Sequence, residues 1–394
     1  MTSLFSLVKE QKNYMTELRR HFHKYPEPGY QEFKTAERIE EELLAMGIPH
    51  KRVGETGVLA TIKGGATAGT GRVIVLRADI DALRIQEEND VPYRSQNDGV
   101  MHACGHDGHT AALLGAAKVL SKKRDSFSGE ARLCFQQAEE TSGGAKFFIA
   151  DGVLEGAGRV FGVHMKPDLD SGLIGVIPGP MNAAVDGFRL TVRGKSAHVA
   201  HPQRGADALF AACQIVNAFQ SLVTRRISPV DTVIIGVGTL HAGTASNIVA
   251  EEAVMQGTLR TYSGELRDKL RNLIDETSAH VAAISGAERE IEWFDPYPVL
   301  INDAEACKEA AEIAGLIAGK DAVISDLPRS LGGDDFAEFL LLVPGVYVNI
   351  GCGFPGKPRI ALHNCRFDMD EEALVFAAGM YADYAAWYLG FTEE

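Results

Sequence analysis

The chain has 394 residues, 45% of them hydrophobic and 23% charged, with a formal net charge of −14. That length exceeds one ordinary core, so two domains are expected. The acidic balance argues against nucleic acid or an anionic membrane as partner, and no apolar run is long enough to span a bilayer.

The N-terminal stretch is amphipathic and charged, without a signal-peptide apolar core, so a cytoplasmic location is expected. Residues 4–46 show helical spacing in Tyr14–Leu18–Phe22 and Ala36–Ile39–Leu43, broken by a turn at YPEPGYQE. Residues 54–65 read as a short strand between glycines. RVIVLRADIDAL then gives a continuous apolar strand ending in Asp79 and Asp81, as expected of a strand buried on both faces. EARLCF (130–135) is a second, running on to Glu139 and Glu140; RVFGV (159–163) is a third, running into His164; PGVYVNI (344–350) is a fourth, followed by a glycine-rich loop and His363. Apolar strands alternating with helices indicate an α/β fold with a largely parallel sheet flanked by helices. In such sheets, sites form at the carboxyl ends of strands, where these acids and histidines fall.

The middle of the chain changes rhythm. Strands at 186–193, 232–240, 253–261 and 288–293 alternate with helices at 206–223 and 264–285. This is the order of a ferredoxin-like α+β unit. It predicts an inserted domain over 181–296, with 1–180 and 297–394 forming the α/β domain.

MHACGHDGHT (101–110) concentrates the chemistry. Cys104 and His106 are two apart, so in an extended segment both can face one spot. The helix formers of TAALLGAAKVL place this cluster where a loop enters a helix. Cys104, His106, Glu140, His164 and His363 supply five ligand candidates. One ion needs three or four, so five suggest two ions bridged by the Cys sulfur or a carboxylate. The Cys and three His favour zinc or a similar borderline metal, and two such ions acidify a water and polarise a carbonyl. Of the adjacent Glu139 and Glu140, one binds metal and the other is the general base. Asp79 and Asp81 are ligands or acceptors that hold a ligand His, and His109 either faces the site or stays in the helix start. His198, Asn247 and Arg260 in the insert can supply an oxyanion donor and a fork for a substrate carboxylate. Six scattered cysteines without a CxxC pair imply reduced thiols. A cysteine hydrolase using Cys104 and a metal-stabilised binding protein are the rival readings. The first leaves Glu139, Glu140, His164 and His363 unexplained, and the second leaves Glu139 without a task.

The motifs RADIDAL, MHACGHDGHTA, FQQAEETSGGAK, GVHMKP, GKSAHVAHPQRGADAL, GTASNIV with GTLRTY, GGDDFAEF and HNCRFDMDEEAL resemble, in order, those of the amidohydrolase branch of the metallo-aminoacylase/carboxypeptidase-G superfamily. That branch includes hippurate, auxin–amino acid and p-aminobenzoyl-glutamate hydrolases and N-acetyl-diaminopimelate deacetylases. The resemblance implies a two-metal amidohydrolase of N-acyl amino acids with an inserted lid or dimerisation domain. It implies Cys104, His106, Glu140, His164 and His363 as ligands and Glu139 as general base, with Asp79 and Asp81 in support. It places His198 at the reacting carbonyl, in the site of its own chain or of the partner subunit, and Asn247 and Arg260 at the substrate carboxylate. It implies two divalent ions per chain, zinc or manganese, with cobalt or nickel as alternatives, and a homodimer or dimer of dimers. Asp334 departs from the pattern, standing where Glu is usual.

Overall fold

The computed structural model describes residues 3–66, 71–141 and 143–392. They form two compact units, the first comprising Met1–Gly179, Ile301–Pro328 and Asp334–Glu394, the second Pro180–Leu300 and Arg329–Gly333. The second unit thus runs on to Leu300 rather than stopping at 296. It also takes in Arg329–Gly333, which the sequence reading leaves in the first. The reason is local bonding. Arg260 Nη1 donates to the Leu331 carbonyl at 2.7 Å, and the Ser330 N–H donates to the Met181 carbonyl at 3.0 Å.

In the first unit, residues 4–46 form α1 (Phe5–Lys9), α2 (Lys12–Lys24) and α3 (Phe33–Ala45). Met15, Leu18 and Phe22 on α2 and Ala36, Ile39 and Leu43 on α3 are buried, one apolar stripe per helix. There follow β1 (His50–Val53), β2 (Gly57–Lys63), β3 (Val73–Asp79), α4 (His106–Lys122), β4 (Glu130–Gln136), α5 (Gly144–Ala150), β5 (Ala157–Asp170) and β6 (Ile174–Gly175). The second unit contributes β7 (Ala184–Arg193), α6 (Ala208–Arg225), β8 (Val233–Ala242), β9 (Glu252–Thr261), α7 (Gly264–Ile284) and β10 (Glu288–Tyr297). The chain returns with α8 (Ala304–Ala318), β11 (Val323–Ile324), α9 (Phe336–Leu340), β12 (Gly345–Gly353) and α10 (Ala373–Tyr388).

The sheet of the first unit runs β1-β2-β4-β3-β5-β12-β6-β11. Its middle strands β4, β3, β5 and β12 are parallel, and β2 and β6 add antiparallel on either side. The fold is therefore mixed α/β with a largely parallel centre. Ile74, Val75 and Leu76 of β3 and all nine residues of β12 are buried. Helices α4 and α10 are buried along most of their length. Their Leu, Val, Ala and Tyr side chains join the core, each larger one contributing roughly 1.5–3 kcal/mol on burial.

The second unit has an antiparallel sheet of order β10-β7-β9-β8. With α6 and α7 it makes the ferredoxin-like arrangement. Phe188, Leu190 and Val192 of β7 pack in one core with Ala211, Ile215 and Phe219 of α6. Asp207 caps α6 by accepting the Phe210 N–H, and Ser263 caps α7 by accepting the Leu266 N–H.

Candidate functional site

The side chains singled out in the first unit arrive from strand ends and from turns. β3 ends on Asp79, and Asp81 follows it. After β4, the chain enters Glu139 and Glu140 through Ala138, whose φ is +55°. A non-glycine residue there costs roughly 1–2 kcal/mol, so surrounding contacts impose this turn. His363 also sits at φ +61°, and its N–H donates to the Ala103 carbonyl at 2.8 Å. That bond lays it beside Cys104.

Two local readings are corrected. Cys104 and His106 do not converge by strand alternation. Gly105, at φ +89°, turns the chain, and α4 starts at His106 itself. A Cβ at Gly105 would lie 3.0 Å from the Met165 side chain, so this turn needs glycine. His164 does not follow the end of its strand. β5 continues to Asp170 because β12 pairs alongside, matching Asn349 with His164 and Gly351 with Lys166.

The structure brings Cys104, His106 and His164 together, with one donor atom from each within 4.8 Å of the others. Cys104, Glu140 and His363 form a second set on the same criterion. The sulfur thus belongs to both. Donor chemistry and orientation fit divalent ions. His106 Nδ1 lies 3.0 Å from the Asp81 carbonyl and 3.2 Å from Asp81 Oδ1, which makes Nδ1 the donor and Nε2 the nitrogen that would face an ion once its proton leaves. His164 Nδ1 donates to the Met165 carbonyl at 2.8 Å, so its Nε2 is open. His106 Nε2 is buried without a hydrogen-bond partner, while Glu140 Oε1 lies 3.9 Å from it and 3.2 Å from His363 Nε2. An unpartnered buried imidazole nitrogen facing a carboxylate that a second imidazole also faces is a donor set a cation would satisfy.

Electrostatics point the same way. Burial lowers His164 to about 3, with His109 adding to the effect, so its ring is neutral. Burial would lower His106 too, but Asp79, Asp81 and Glu140 outweigh it and raise His106 to about 10. Burial, then Glu140, Glu139 and Asp79, push the Cys104 thiol well above its ordinary value. Without a cation, this thiol holds its proton, which weakens the reading of Cys104 as a free nucleophile.

Glu139 is 6% exposed. Burial, with Asp334, Glu140, Asp335 and Asp81, raises its carboxyl well above the ordinary range. One oxygen each of Glu139, Asp334 and Asp335 lies within 4.8 Å of the others. Beneath them lies Arg77, which sequence reasoning missed. Its Nη1 donates to Asp79 at 2.7 Å, its Nη2 to Asp335 at 2.7 Å and its Nε to Gln136 at 2.9 Å. Asp335 was missed as well. Its signal was the acid pair in GGDD, but an acid pair in a glycine-rich loop usually faces water.

Asp79 and Asp81 serve as acceptors. Asp79 takes Arg77 on one oxygen and His109 Nδ1, at 2.5 Å, on the other. Asp81 holds His106, and its Oδ2 accepts the Glu140 N–H at 3.0 Å. His109 is fully buried in the first turn of α4. The remaining candidates lie in the second unit. His198 and Asn247 are exposed there on neighbouring segments, the Val199 N–H donating to the Asn247 carbonyl at 3.1 Å. Arg260, on β9, is partly buried.

A family model described as Peptidase family M20/M25/M40 matches residues 75–387. An N-acetylcysteine deacetylase of Bacillus subtilis (strain 168) is 38% identical over 93% of this chain and 95% of its own length. Thermostable carboxypeptidase 2 of Saccharolobus solfataricus is 37% identical over 95% of each chain. A solved structure from Bacillus subtilis, described as a dinuclear metal binding peptidase from the M20 family, superposes with a TM-score of 0.84 at 35% identity. It covers 98% of this chain and 100% of that one.

Proposed function

The chain belongs to peptidase family M20/M25/M40, and from that premise we propose that it hydrolyses the amide bond of N-acyl or N-aroyl amino acids, using two divalent ions held by Cys104, His106, Glu140, His164 and His363. The observation that carries this reading is the Cys104 sulfur shared by two donor sets, the arrangement of a bridge between two ions. The deacetylase relative, by its name, supports an N-acyl amino acid as substrate.

Bound ions of this kind supply Lewis-acid polarisation of the carbonyl and a more acidic water. The chain's own residues do the rest. Glu139 accepts a proton from the attacking water and hands it to the leaving amine. Its raised carboxyl, set by burial and by neighbouring acids, brings it toward working pH for both transfers. Asp81 keeps His106 in the required tautomer and fixes the Glu140 backbone. His198 donates to the developing oxyanion, and Asn247 and Arg260 take the substrate carboxylate. These three assignments rest on the motif resemblance and on the donor chemistry of the side chains.

Zinc or manganese suits the mixed sulfur, nitrogen and oxygen donors. A homodimer is supported by β8, an edge strand of the second unit. Its sequence VIIGVGTLHA has no Lys, Glu or Pro to block pairing, and Ile234 on it is 39% exposed. A cytoplasmic location agrees with six free cysteines. A second reading is hydrolysis of dipeptides or p-aminobenzoyl-glutamate; the carboxypeptidase relative, by its name, supports cleavage of a peptide bond.

The test is Glu139→Gln assayed on N-acetyl and N-benzoyl amino acids, p-aminobenzoyl-glutamate and dipeptides, with ions counted by elemental analysis. A loss of kcat on the order of 10²-fold or more with two ions retained supports the base. Near-wild-type kcat removes Glu139 from that role. Full activity in metal-free wild type returns Cys104 to the position of nucleophile.

A further inference from the structure

His109 has no part in the donor sets proposed above, yet both of its ring nitrogens are engaged. Nδ1–H donates to Asp79 Oδ1 at 2.5 Å, and Nε2 accepts the Met165 N–H at 2.8 Å. Asp79 is clamped from its other oxygen by Arg77 at 2.7 Å. The imidazole therefore has one tautomer and one orientation. The backbone group it holds is the peptide joining His164 to Met165. The ladder between β3 and β5 ends at Arg77 and Gly162, so His109 takes up a donor that β3 no longer serves. The carbonyl of the same Met165 orients His164 Nδ1, and the two imidazoles lie 4.9 Å apart.

We propose that His109 is a positioning residue that sets the direction of His164 Nε2 through the chain Arg77–Asp79–His109–Met165. This rests on reading His164 as a ligand. Without the bond to His109, the peptide after His164 is held from the β12 side alone and its N–H is left unpaired, so it shifts and the imidazole loses its aim toward Cys104 and His106. Partners of this kind typically alter metal affinity by 10–100-fold.

The test titrates zinc or manganese into metal-free wild type, His109→Leu and His109→Gln by calorimetry. A glutamine amide can donate to Asp79 and accept from Met165, whereas leucine can do neither. The expected result is two ions in wild type, one of them weakened 10–100-fold in His109→Leu with the other within a few-fold, and both kept in His109→Gln. If His109→Leu fails to fold, judged by near-ultraviolet circular dichroism, Asp79→Asn replaces it. There Arg77 holds the amide oxygen, the amide NH2 faces His109 Nδ1, and the ring must switch to its Nε2–H tautomer, which opposes the Met165 N–H. Nitrogen-15 shifts report that tautomer, and the same ion weakens. Either substitution binding both ions as wild type does, or weakening both equally, overturns the inference. Wild type that binds no ion overturns the ligand reading itself, and this one with it.

Discussion

The sulfur of Cys104 lies 3.7 Å from His164 Nε2, while the same sulfur shares a second donor set with Glu140 and His363. A group placed in two sets at once gives its removal a distinctive signature. Cys104→Ala should weaken both ions together. His164→Ala and His363→Ala should each weaken one. Calorimetric titration of the three variants checks this. Cys104→Asp should retain measurable activity, because a carboxylate can also bridge two ions. A cysteine nucleophile would not survive that exchange, so zero activity in a folded, metal-loaded Cys104→Asp would count for the rival mechanism.

Metal uptake should release protons. In the metal-free protein, His106 is raised to about 10 by Asp79, Asp81 and Glu140 against the opposing effect of burial, and Cys104 is raised by burial and by Glu140, Glu139 and Asp79. Both therefore carry a proton at neutral pH, and both must lose it to bind. About two protons per chain should leave on loading, read from calorimetry in buffers of differing ionisation enthalpy. Affinity should fall as pH is lowered. For the metal-free fold the sign is opposite. A raised His106 contributes stability that is fully present below its ordinary value of 6.5 and is lost as pH rises through about 10. Uptake without proton release would contradict this account.

Arg77 is 1% exposed and bonded to Asp79 and Asp335, with Asp334 at 3.5 Å. Arg77→Met would leave those carboxylates buried and unpaired. The expected loss is on the order of 3–5 kcal/mol, measurable by urea denaturation of the metal-free protein. Arg77→Lys should recover only part, since one ammonium cannot serve several separated acceptors as a guanidinium does. Equal stability of Arg77→Met and wild type would show that the acids are neutralised by other means.

The dimer proposed through β8 makes its own prediction. Ile234→Lys places a charge on the exposed edge of a strand that otherwise carries none. Sedimentation equilibrium should find wild type dimeric and the variant shifted toward monomer, with far-ultraviolet circular dichroism unchanged. A wild-type monomer would remove the edge-pairing idea.

Much of this was legible before the structure. β3 and β4 announce themselves as unbroken apolar runs, and Asp79 and Glu140 fall where such runs stop. The ferredoxin-like order of the second unit follows from its alternation of strands and helices. What stayed hidden depends on contacts distant in sequence. HKRV carries three basic side chains and becomes β1 only because β2 pairs with it in register. β5 outruns its apolar core because β12 supplies partners beyond His164. Arg77 looks like an exposed strand residue until Asp335, far along the chain, folds over it. His109 sits three residues from His106, and spacing alone cannot say which of two neighbouring imidazoles keeps a nitrogen open.

The stretch Arg329–Gly333 belongs with the second unit although it is remote from Pro180–Leu300 in sequence. Its tie, the Arg260 guanidinium on the Leu331 carbonyl, matters for anyone exchanging specificity between relatives. A chimera that grafts 180–300 alone imports an arginine whose acceptor stays behind in host sequence, and it removes the native partner of the host's own loop. Such a graft is cut at two places where the architecture has four. Recombinants that carry both stretches from one parent should express and fold better than those split between parents, so the natural unit of exchange here is discontinuous.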